Sequence, residues 1–304
     1  MRRFLGALVA IALFGGIAFF LLTWPRGLPA RELAVMEDGD PVAGETWFWA
    51  GGCGSCHAAE RAKGDDKLQL GGGLVLATDF GDFVAPNISM HPTDGIGSWS
   101  GADFANALMR GVSPEGAHYY PAFPYASYTR MEIADVADLW AFWQTLPEVA
   151  GRAPPSSLRF PYSIRRGIGL WKLAFLREDP IIAVPEDDAA ALRGRYLVEA
   201  AGHCGECHTS RGIGGEMRPS RWLAGAPNPD GEGRIPNITP GEGGIGSWSA
   251  GDIAFYLESG FTPDFDSVGG SMVSVQDNMT RLSPEDRSAI ADYLAVVPPL
   301  ATQR

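Results

Sequence analysis

The sequence is poor in positive charge, with 24 Lys and Arg against 36 Asp and Glu and a net charge of −12. Because nucleic-acid binding needs a basic face that neutralises phosphates, this balance excludes a general nucleic-acid binder. The sequence also lacks the alternating apolar and polar runs of half-buried strands, and it carries no catalytic triad, phosphate-binding loop or paired-carboxylate motif. Hydrophobic residues make up 45% of the chain and charged residues 20%, which excludes wholesale disorder. We therefore expect a folded, acidic and mainly helical protein.

A long apolar run stands at the N-terminus. Phe4 to Trp24 are 21 residues without a charge, and Arg2 and Arg3 precede them. At about 1.5 Å per residue, a helix of this length reaches roughly 31 Å and can cross a bilayer. The basic residues before it predict that this end stays cytoplasmic and that the rest of the chain lies outside. A cleaved signal peptide is the alternative; we favour an uncleaved anchor because the run is long and no small-x-small cleavage site follows it.

Cysteine is scarce, and all four cysteines belong to two copies of one motif. The copies are Cys53-Gly-Ser-Cys56-His57 and Cys204-Gly-Glu-Cys207-His208, which lie 151 positions apart. Cys-x-x-Cys-His is the attachment signature of c-type haem, in which two thioethers hold the porphyrin and the imidazole becomes the proximal iron ligand. A single copy could equally be a redox dithiol or half of a zinc site. Two copies with no cysteine left over predict two covalent haem c groups.

The haem motif is one marker of a longer internal repeat. The other matching segments are Pro86–Ser89 with Pro236–Thr239, Gly95–Ser100 with Gly244–Ser249, and Thr129–Met131 with Thr280–Leu282. Their offsets are 150, 149 and 151 positions. A near-constant offset indicates that one domain was duplicated, with a few small insertions and deletions.

Helical periodicity recurs in both halves of the repeat. Helices are predicted over 41–52, 101–110 and 132–146 in the first half, and over 192–203, 250–259 and 284–296 in the second. Ser100 and Ser249 have the position and chemistry of N-caps. We predict an all-α fold, with a transmembrane anchor at 1–28, one domain at 38–150, a linker at 151–190 and a second domain at 191–301.

The linker contains a basic and aromatic stretch, Arg159 to Arg177, in an otherwise acidic protein. Two interpretations are open. The stretch could lie at the membrane interface, where Trp and Arg are favoured, or it could form a helix packed between the two domains. We favour the second.

Several further motifs extend over nearly all of 40–298. They include Tyr120-Pro-Ala-Phe-Pro-Tyr125, Tyr128-Thr-Arg-Met131, Gly269-Gly-Ser-Met272 and Ala289-Ile-Ala-Asp-Tyr-Leu294. With the haem motifs, they resemble the multihaem cytochrome c subunits of membrane-bound bacterial alcohol and aldehyde dehydrogenases and the related membrane-anchored dihaem cytochromes c. The alcohol dehydrogenase subunits carry three haems, whereas this chain has two haem motifs. It therefore resembles a relative of those subunits and not a member of that set. The resemblance implies two tandem class I cytochrome c domains.

A methionine opposite the proximal histidine raises the haem potential and suits electron transfer. The resemblance implies Met272 as the distal ligand in the second half, where Met279 is the alternative. In the first half, the position of the family's methionine holds Phe123. Met131 or His118 could be the ligand instead, or the iron could be five-coordinate and open, with Met109 and Met90 as weaker candidates. We favour Met131, so that His57 pairs with Met131 and His208 with Met272.

Other residues near the motifs have expected roles of their own. Each proximal histidine should donate its second ring N–H to a backbone carbonyl, which fixes the ring. Trp99 and Trp248 occupy matching positions and either donate to a haem propionate or pack in the core.

Taken together, these features predict an electron carrier with no substrate chemistry of its own. It would be a single-pass protein of the cytoplasmic (inner) membrane with its haem domains facing the periplasm. Its expected partners are a dehydrogenase subunit or upstream carrier as donor, and a cytochrome or terminal oxidase as acceptor. A peroxidase-like dihaem enzyme with an open iron in the first half is the main alternative, and a zinc-binding interaction module is the other.

Overall fold

The computed structural model describes residues 2–229, 231 and 233–302. The chain is mostly helical, with 44% helix and 7% strand. Met1, the first residue of the expected anchor, lies outside the described residues. The α-helices are α1 (Arg2–Leu22), α2 (Pro41–Ala50), α3 (Cys53–His57), α4 (Gly101–Arg110), α5 (Tyr125–Tyr128), α6 (Ile133–Trp143), α7 (Ile168–Phe175), α8 (Ala189–Tyr196), α9 (Gly205–His208), α10 (Ala250–Ser259), α11 (Met272–Met279) and α12 (Pro284–Val296).

Short turns and strands complete the secondary structure. The 3₁₀ turns are Leu33–Glu37, Gly64–Leu68, Arg165–Gly167 and Pro219–Arg221, and a π-helical turn covers Leu197–Ala201. Strands β1 (Val75–Thr78), β2 (Gly81–Val84) and β3 (Ser157–Leu158) form an antiparallel sheet in that order, and β4 (Ala226–Pro227) pairs with β5 (Arg234–Ile235). The all-α expectation therefore missed two small sheets, because strands of two to four residues are too short to show a period.

Each half is built on one crossing of two helices. Helix α2 crosses α6 in the first half, and α8 crosses α12 in the second. A side chain at Gly44 would come within 1.9 Å of the Asp138 carbonyl oxygen, and one at Gly194 within 1.8 Å of the Ala289 carbonyl oxygen. Both crossings therefore require glycine, because the backbones touch directly.

The segment from the crossing glycine to the haem motif is one residue longer in the second half than in the first. Gly44 and Gly194 are 150 positions apart, whereas Cys53 and Cys204 are 151 apart. The additional residue is accommodated in the π-helical turn Leu197–Ala201 that follows α8, because a π turn closes one more residue than an α turn.

Helices α4 and α10 are also a matched pair. Ser100 and Ser249 each form a capping box, with Asp103 and Asp252 respectively. The bounds of both helices are those predicted from the sequence, and so are the bounds of α12. The buried apolar side chains of the two halves form one contiguous cluster.

None of the residues of α1 is buried. Among the described residues, α1 alone is long and apolar enough to cross a membrane, with a hydropathy of 2.6 over its most apolar window. A signal sequence would have the same properties. The chain after α1 then packs on the first half, where the backbone N–H of Leu28 donates to the Asn106 side chain at 2.7 Å.

Candidate haem sites

Each Cys-x-x-Cys-His motif forms a single helical turn that follows a left-handed residue. Before α3 this residue is Gly52, with φ of 59°, and before Cys204 it is His203, with φ of 41°. A left-handed conformation suits glycine and strains histidine. The turn places the two cysteines of each motif three residues apart, and therefore on one face of the helix.

The histidines of both motifs are hydrogen-bonded to equivalent carbonyl groups. Nδ1 of His57 lies 2.8 Å from the Pro86 carbonyl oxygen, and Nδ1 of His208 lies 2.8 Å from that of Pro236. The expected hydrogen bonds to backbone carbonyls are confirmed, and they come from matching positions of the repeat. Burial lowers the pKa of both imidazoles, which keeps them neutral. The Nδ1 bond leaves Nε2, the iron-binding atom, directed away from Pro86 and Pro236.

The surroundings of the cysteines suit thioethers. Burial raises the pKa of Cys53 and Cys204 to about 12, which describes an apolar environment that disfavours a thiolate. A thioether sulfur carries no charge and fits there. None of the four described cysteines forms a disulfide. Across the part of the chain that the structure describes, no group of three or more His, Cys, Asp or Glu side chains could hold a metal ion, so the zinc alternative has no ligand set.

The segments that precede the two motifs are in contact. Nε2 of His203 is 3.0 Å from the carbonyl oxygen of Gly51, which also accepts a hydrogen bond of 3.2 Å from the Tyr128 hydroxyl. The Tyr128 and His203 rings meet edge to face at 5.5 Å. The residue that precedes one motif is therefore in direct contact with the residue just before the other.

The middle residues of the two motifs make reciprocal contacts. The amide of Asn278 on α11 donates to Ser55 at 2.9 Å, and the hydroxyl of Ser127 on α5 donates to Glu206 at 2.9 Å. Ser55 and Glu206 are 151 positions apart, and so are Ser127 and Asn278. Each motif is thus bonded to the helix that precedes the last helix of the other half. No local pattern in the sequence distinguishes these four residues.

A buried lysine strengthens the same contact. Nζ of Lys67, whose residue is 1% exposed, donates to the Asn278 side chain at 2.7 Å and to the Ser274 carbonyl at 2.9 Å. It also lies 2.7 Å from the Asp277 carboxylate. A first-half cation is therefore neutralised and hydrogen-bonded entirely by α11 of the second half.

The candidate distal methionines lie in different environments. Met131 is buried between α5 and α6, and Met272 is half-buried as the first residue of α11. Met279, the alternative to Met272, is buried at the other end of α11. Phe123 packs among aromatic rings, 6.0 Å from Tyr128 between centroids.

His118 is engaged elsewhere. Its Nε2 lies 2.9 Å from the carbonyl oxygen of Thr23, directly after α1. This contact ties the imidazole to the end of the apolar helix and disfavours the bis-histidine interpretation. Met109 is buried on α4 within the core cluster, and Met131 belongs to the same cluster.

The two matched tryptophans remain available as donors. Trp99 and Trp248 are half-buried, and within the described residues neither indole N–H makes a hydrogen bond. By contrast, Trp143 donates to the Ile88 carbonyl at 2.8 Å and Trp222 to the Tyr293 hydroxyl at 3.0 Å. An indole N–H without a protein acceptor is consistent with a propionate partner.

Two Cys-x-x-Cys-His turns, each with its histidine hydrogen-bonded to a backbone carbonyl, define a protein with two c-type haem sites. Comparison with known proteins agrees. The chain is 52% identical over 302 residues to a "Diheme cytochrome c-type" protein of Cereibacter sphaeroides, covering 98% of this chain and 99% of the relative. No protein-family model matches the sequence.

Cytochrome subunits of dehydrogenases are more distant relatives. The fructose dehydrogenase cytochrome subunit of Gluconobacter japonicus is 37% identical over 252 residues, and the cytochrome c subunit of the quinone alcohol dehydrogenase of Gluconobacter oxydans is 33% identical over 255 residues. These matches cover 82% and 81% of this chain, but only 51% and 52% of the relatives.

The chain belongs to the family of dihaem c-type cytochromes. It therefore carries two covalent haem c groups and functions in electron transfer. It is an electron carrier without catalytic chemistry, and the relatives give no support to the peroxidase alternative.

Proposed function

We propose that the chain relays single electrons between two haems held in tandem class I cytochrome c domains, over 38–150 and 191–301. The observation that carries this proposal is the pair of reciprocal hydrogen bonds by which each motif is joined to the other half of the chain, Asn278 to Ser55 and Ser127 to Glu206. When bound, haem iron alternates between ferrous and ferric states and so supplies one-electron transfer. The repeated helix crossings and capping boxes support the two-domain organisation.

The haem attachments follow the two motifs. Cys53 and Cys56 would hold the first haem and Cys204 and Cys207 the second, with His57 and His208 as proximal ligands. The hydrogen bonds that the imidazoles donate to the Pro86 and Pro236 carbonyls would hold both rings in a fixed orientation and make each Nε2 a stronger donor to iron.

We infer Met131 and Met272 as the distal ligands. Met131 gains support because the alternative ligand His118 is hydrogen-bonded to Thr23. Met272 gains support from the repeat, since it lies 149 positions after Phe123, as Gly260 does after Gly111. The first half therefore takes its ligand from a later position than the second half, which would give the two haems unequal potentials.

The chain is proposed to stay attached to the membrane through α1. The contacts just after α1 favour retention over cleavage, because Thr23 accepts hydrogen bonds from His118 and Arg166. A protein cleaved beyond Thr23 would lose these partners of both side chains. With its N-terminus in the cytoplasm, the chain would be a single-pass protein of the cytoplasmic membrane whose haem domains face the periplasm.

The donor is proposed to be a dehydrogenase subunit, since the relatives named above are cytochrome subunits of fructose and alcohol dehydrogenases. A soluble cytochrome or a terminal oxidase would accept the electrons. The net charge of −12 would steer basic partners towards the chain.

Ligand variants of the purified two-haem protein test the assignment. We expect Met131→Ala and Met272→Ala each to remove about half of the weak Fe–S charge-transfer absorption of the oxidised protein and to lower the potential of one haem, because each removes one thioether. Met279→Ala is the matched control and should leave both signals intact. Full absorption in Met131→Ala, or its loss in Met279→Ala, would contradict the assignment.

A further inference from the structure

The linker presents a row of exposed apolar side chains. They are Phe160, Tyr162, Ile164, Leu170 and Leu173, with exposures of 80%, 46%, 51%, 44% and 53%. We refer to these five residues as the linker face. Scattered exposed apolar residues are ordinary on a soluble surface, but a contiguous group of large ones marks an interaction site.

The linker face adjoins the end of α1. Helix α7 packs against this end at Gly169, where a side chain would come within 2.6 Å of Thr23 Cα. Arg166 donates to the Phe20 carbonyl at 2.8 Å and to the Thr23 hydroxyl at 2.9 Å. Its guanidinium also lies over the Phe20 ring, 4.4 Å from the centroid. Helix α7 would therefore lie at the depth at which α1 leaves the membrane.

The opposite side of α7 is already occupied by protein. Trp171 donates to the Gly214 carbonyl at 2.9 Å, and Lys172 donates to the carbonyls of Arg110 and Gly111 at 2.6 and 2.7 Å. Helix α7 thus packs between the two halves with one side, as the favoured interpretation of the linker held. Leu170 and Leu173, three residues apart, share the other side and contact solvent.

The composition around the linker face fits a lipid surface. Arg159, Arg165 and Arg177 flank or interrupt it, and an arginine–aromatic mixture is favoured at the boundary between headgroups and acyl chains. Buried protein interfaces are instead depleted of charge at their centre. The position beside a candidate span and the local charge both select lipid over a protein partner.

We propose that the linker face lies in the interfacial layer of the bilayer, with Leu170 and Leu173 inserted among the lipids. The chain would then contact the membrane at two places, α1 and the linker face, which together fix the orientation of both haem sites relative to the bilayer. This inference rests on the proposed anchoring by α1.

Photo-crosslinking in membranes of cells that produce the two-haem protein tests the inference. The photoreactive residue p-benzoyl-phenylalanine is placed at Leu173, at Phe14 within α1 as a positive reference, or at Phe265 as a negative one. Phe14 and Phe265 are 75% and 84% exposed, so all three positions tolerate substitution. We expect phospholipid adducts, detected by mass spectrometry of the purified protein, at Leu173 and Phe14 and their absence at Phe265.

The other outcomes separate the two proposals. Lipid adducts at Phe14 without adducts at Leu173 would overturn the linker-face proposal and leave the anchor intact. Adducts at Leu173 to a polypeptide would overturn it in favour of a protein partner. The absence of lipid adducts at both positions would overturn the anchor as well.

Discussion

Replacing Lys67 with methionine removes the cation that joins the halves but keeps a side chain of similar length. The Asn278 oxygen, 2.7 Å from Nζ, and the Ser274 carbonyl oxygen, 2.9 Å away, would lose their donor. Leaving a buried acceptor unsatisfied costs about 1–3 kcal/mol. The ion pair with Asp277 adds less than about 1 kcal/mol, because the Asp277 side chain is 38% exposed and solvent screens it.

The expected destabilisation by Lys67→Met is therefore about 3 kcal/mol. At roughly 1.6 °C per kcal/mol for a chain of 304 residues, Tm falls by about 5 °C. The measurement is thermal unfolding of the two-haem protein in detergent, followed by circular dichroism. Lys63→Met is the matched control, since Lys63 is exposed in the same segment and should unfold within about 0.5 kcal/mol of the unchanged protein. Equal Tm values for the two variants would refute the reasoning that Lys67 holds the halves together.

Two further predictions concern α7 and the helix crossings. Burial lowers the pKa of Lys172 from 10.5 to about 7. Between these pH values the unfolded chain binds a proton that the folded chain lacks, so the free energy of unfolding should rise with pH. Urea titrations from pH 7 to pH 9 should show this slope in the unchanged protein and lose it in Lys172→Met, and a slope that persists in Lys172→Met would contradict the depressed pKa. Gly44→Ala should prevent accumulation of folded two-haem protein, since the methyl group would meet the Asp138 carbonyl at 1.9 Å. Gly167→Ala, where no atom lies within 4 Å, should accumulate normally on a haem-stained gel, and equal yields of the two would contradict the crossing geometry.

The sequence was informative wherever a structural rule is local. The caps Ser100 and Ser249 carry their partners three residues later, so α4 and α10 could be bounded without a structure. The hydrogen bonds of His57 and His208 to backbone carbonyls were equally predictable, because the haem motif and the following Pro-Asn-Ile segment both repeat. A π turn, by contrast, has no pattern of its own, and 192–203 was predicted as one helix although α8 ends at Tyr196.

Contacts between distant positions could not be read from the sequence in the same way. In the sequence nothing distinguishes Lys67 from a surface lysine, because the partners that bury it lie on α11. Ser55 and Glu206 likewise have no local feature that predicts their contacts. His118 was a reasonable ligand candidate by residue type, but its partner Thr23 lies 95 positions earlier. The distal methionines remain a prediction, because the family's position is occupied by Phe123 and the choice among replacements depends on distances to iron.

The reciprocal bonds Ser55–Asn278 and Glu206–Ser127 have the form of an isologous interface, in which residue i of one partner meets residue j of the other and the reverse. That is how the two subunits of a symmetric homodimer meet. Within one chain, the two sides of such a contact can differ, as they cannot in a homodimer. Serine and asparagine face each other on one side, and glutamate and serine on the other.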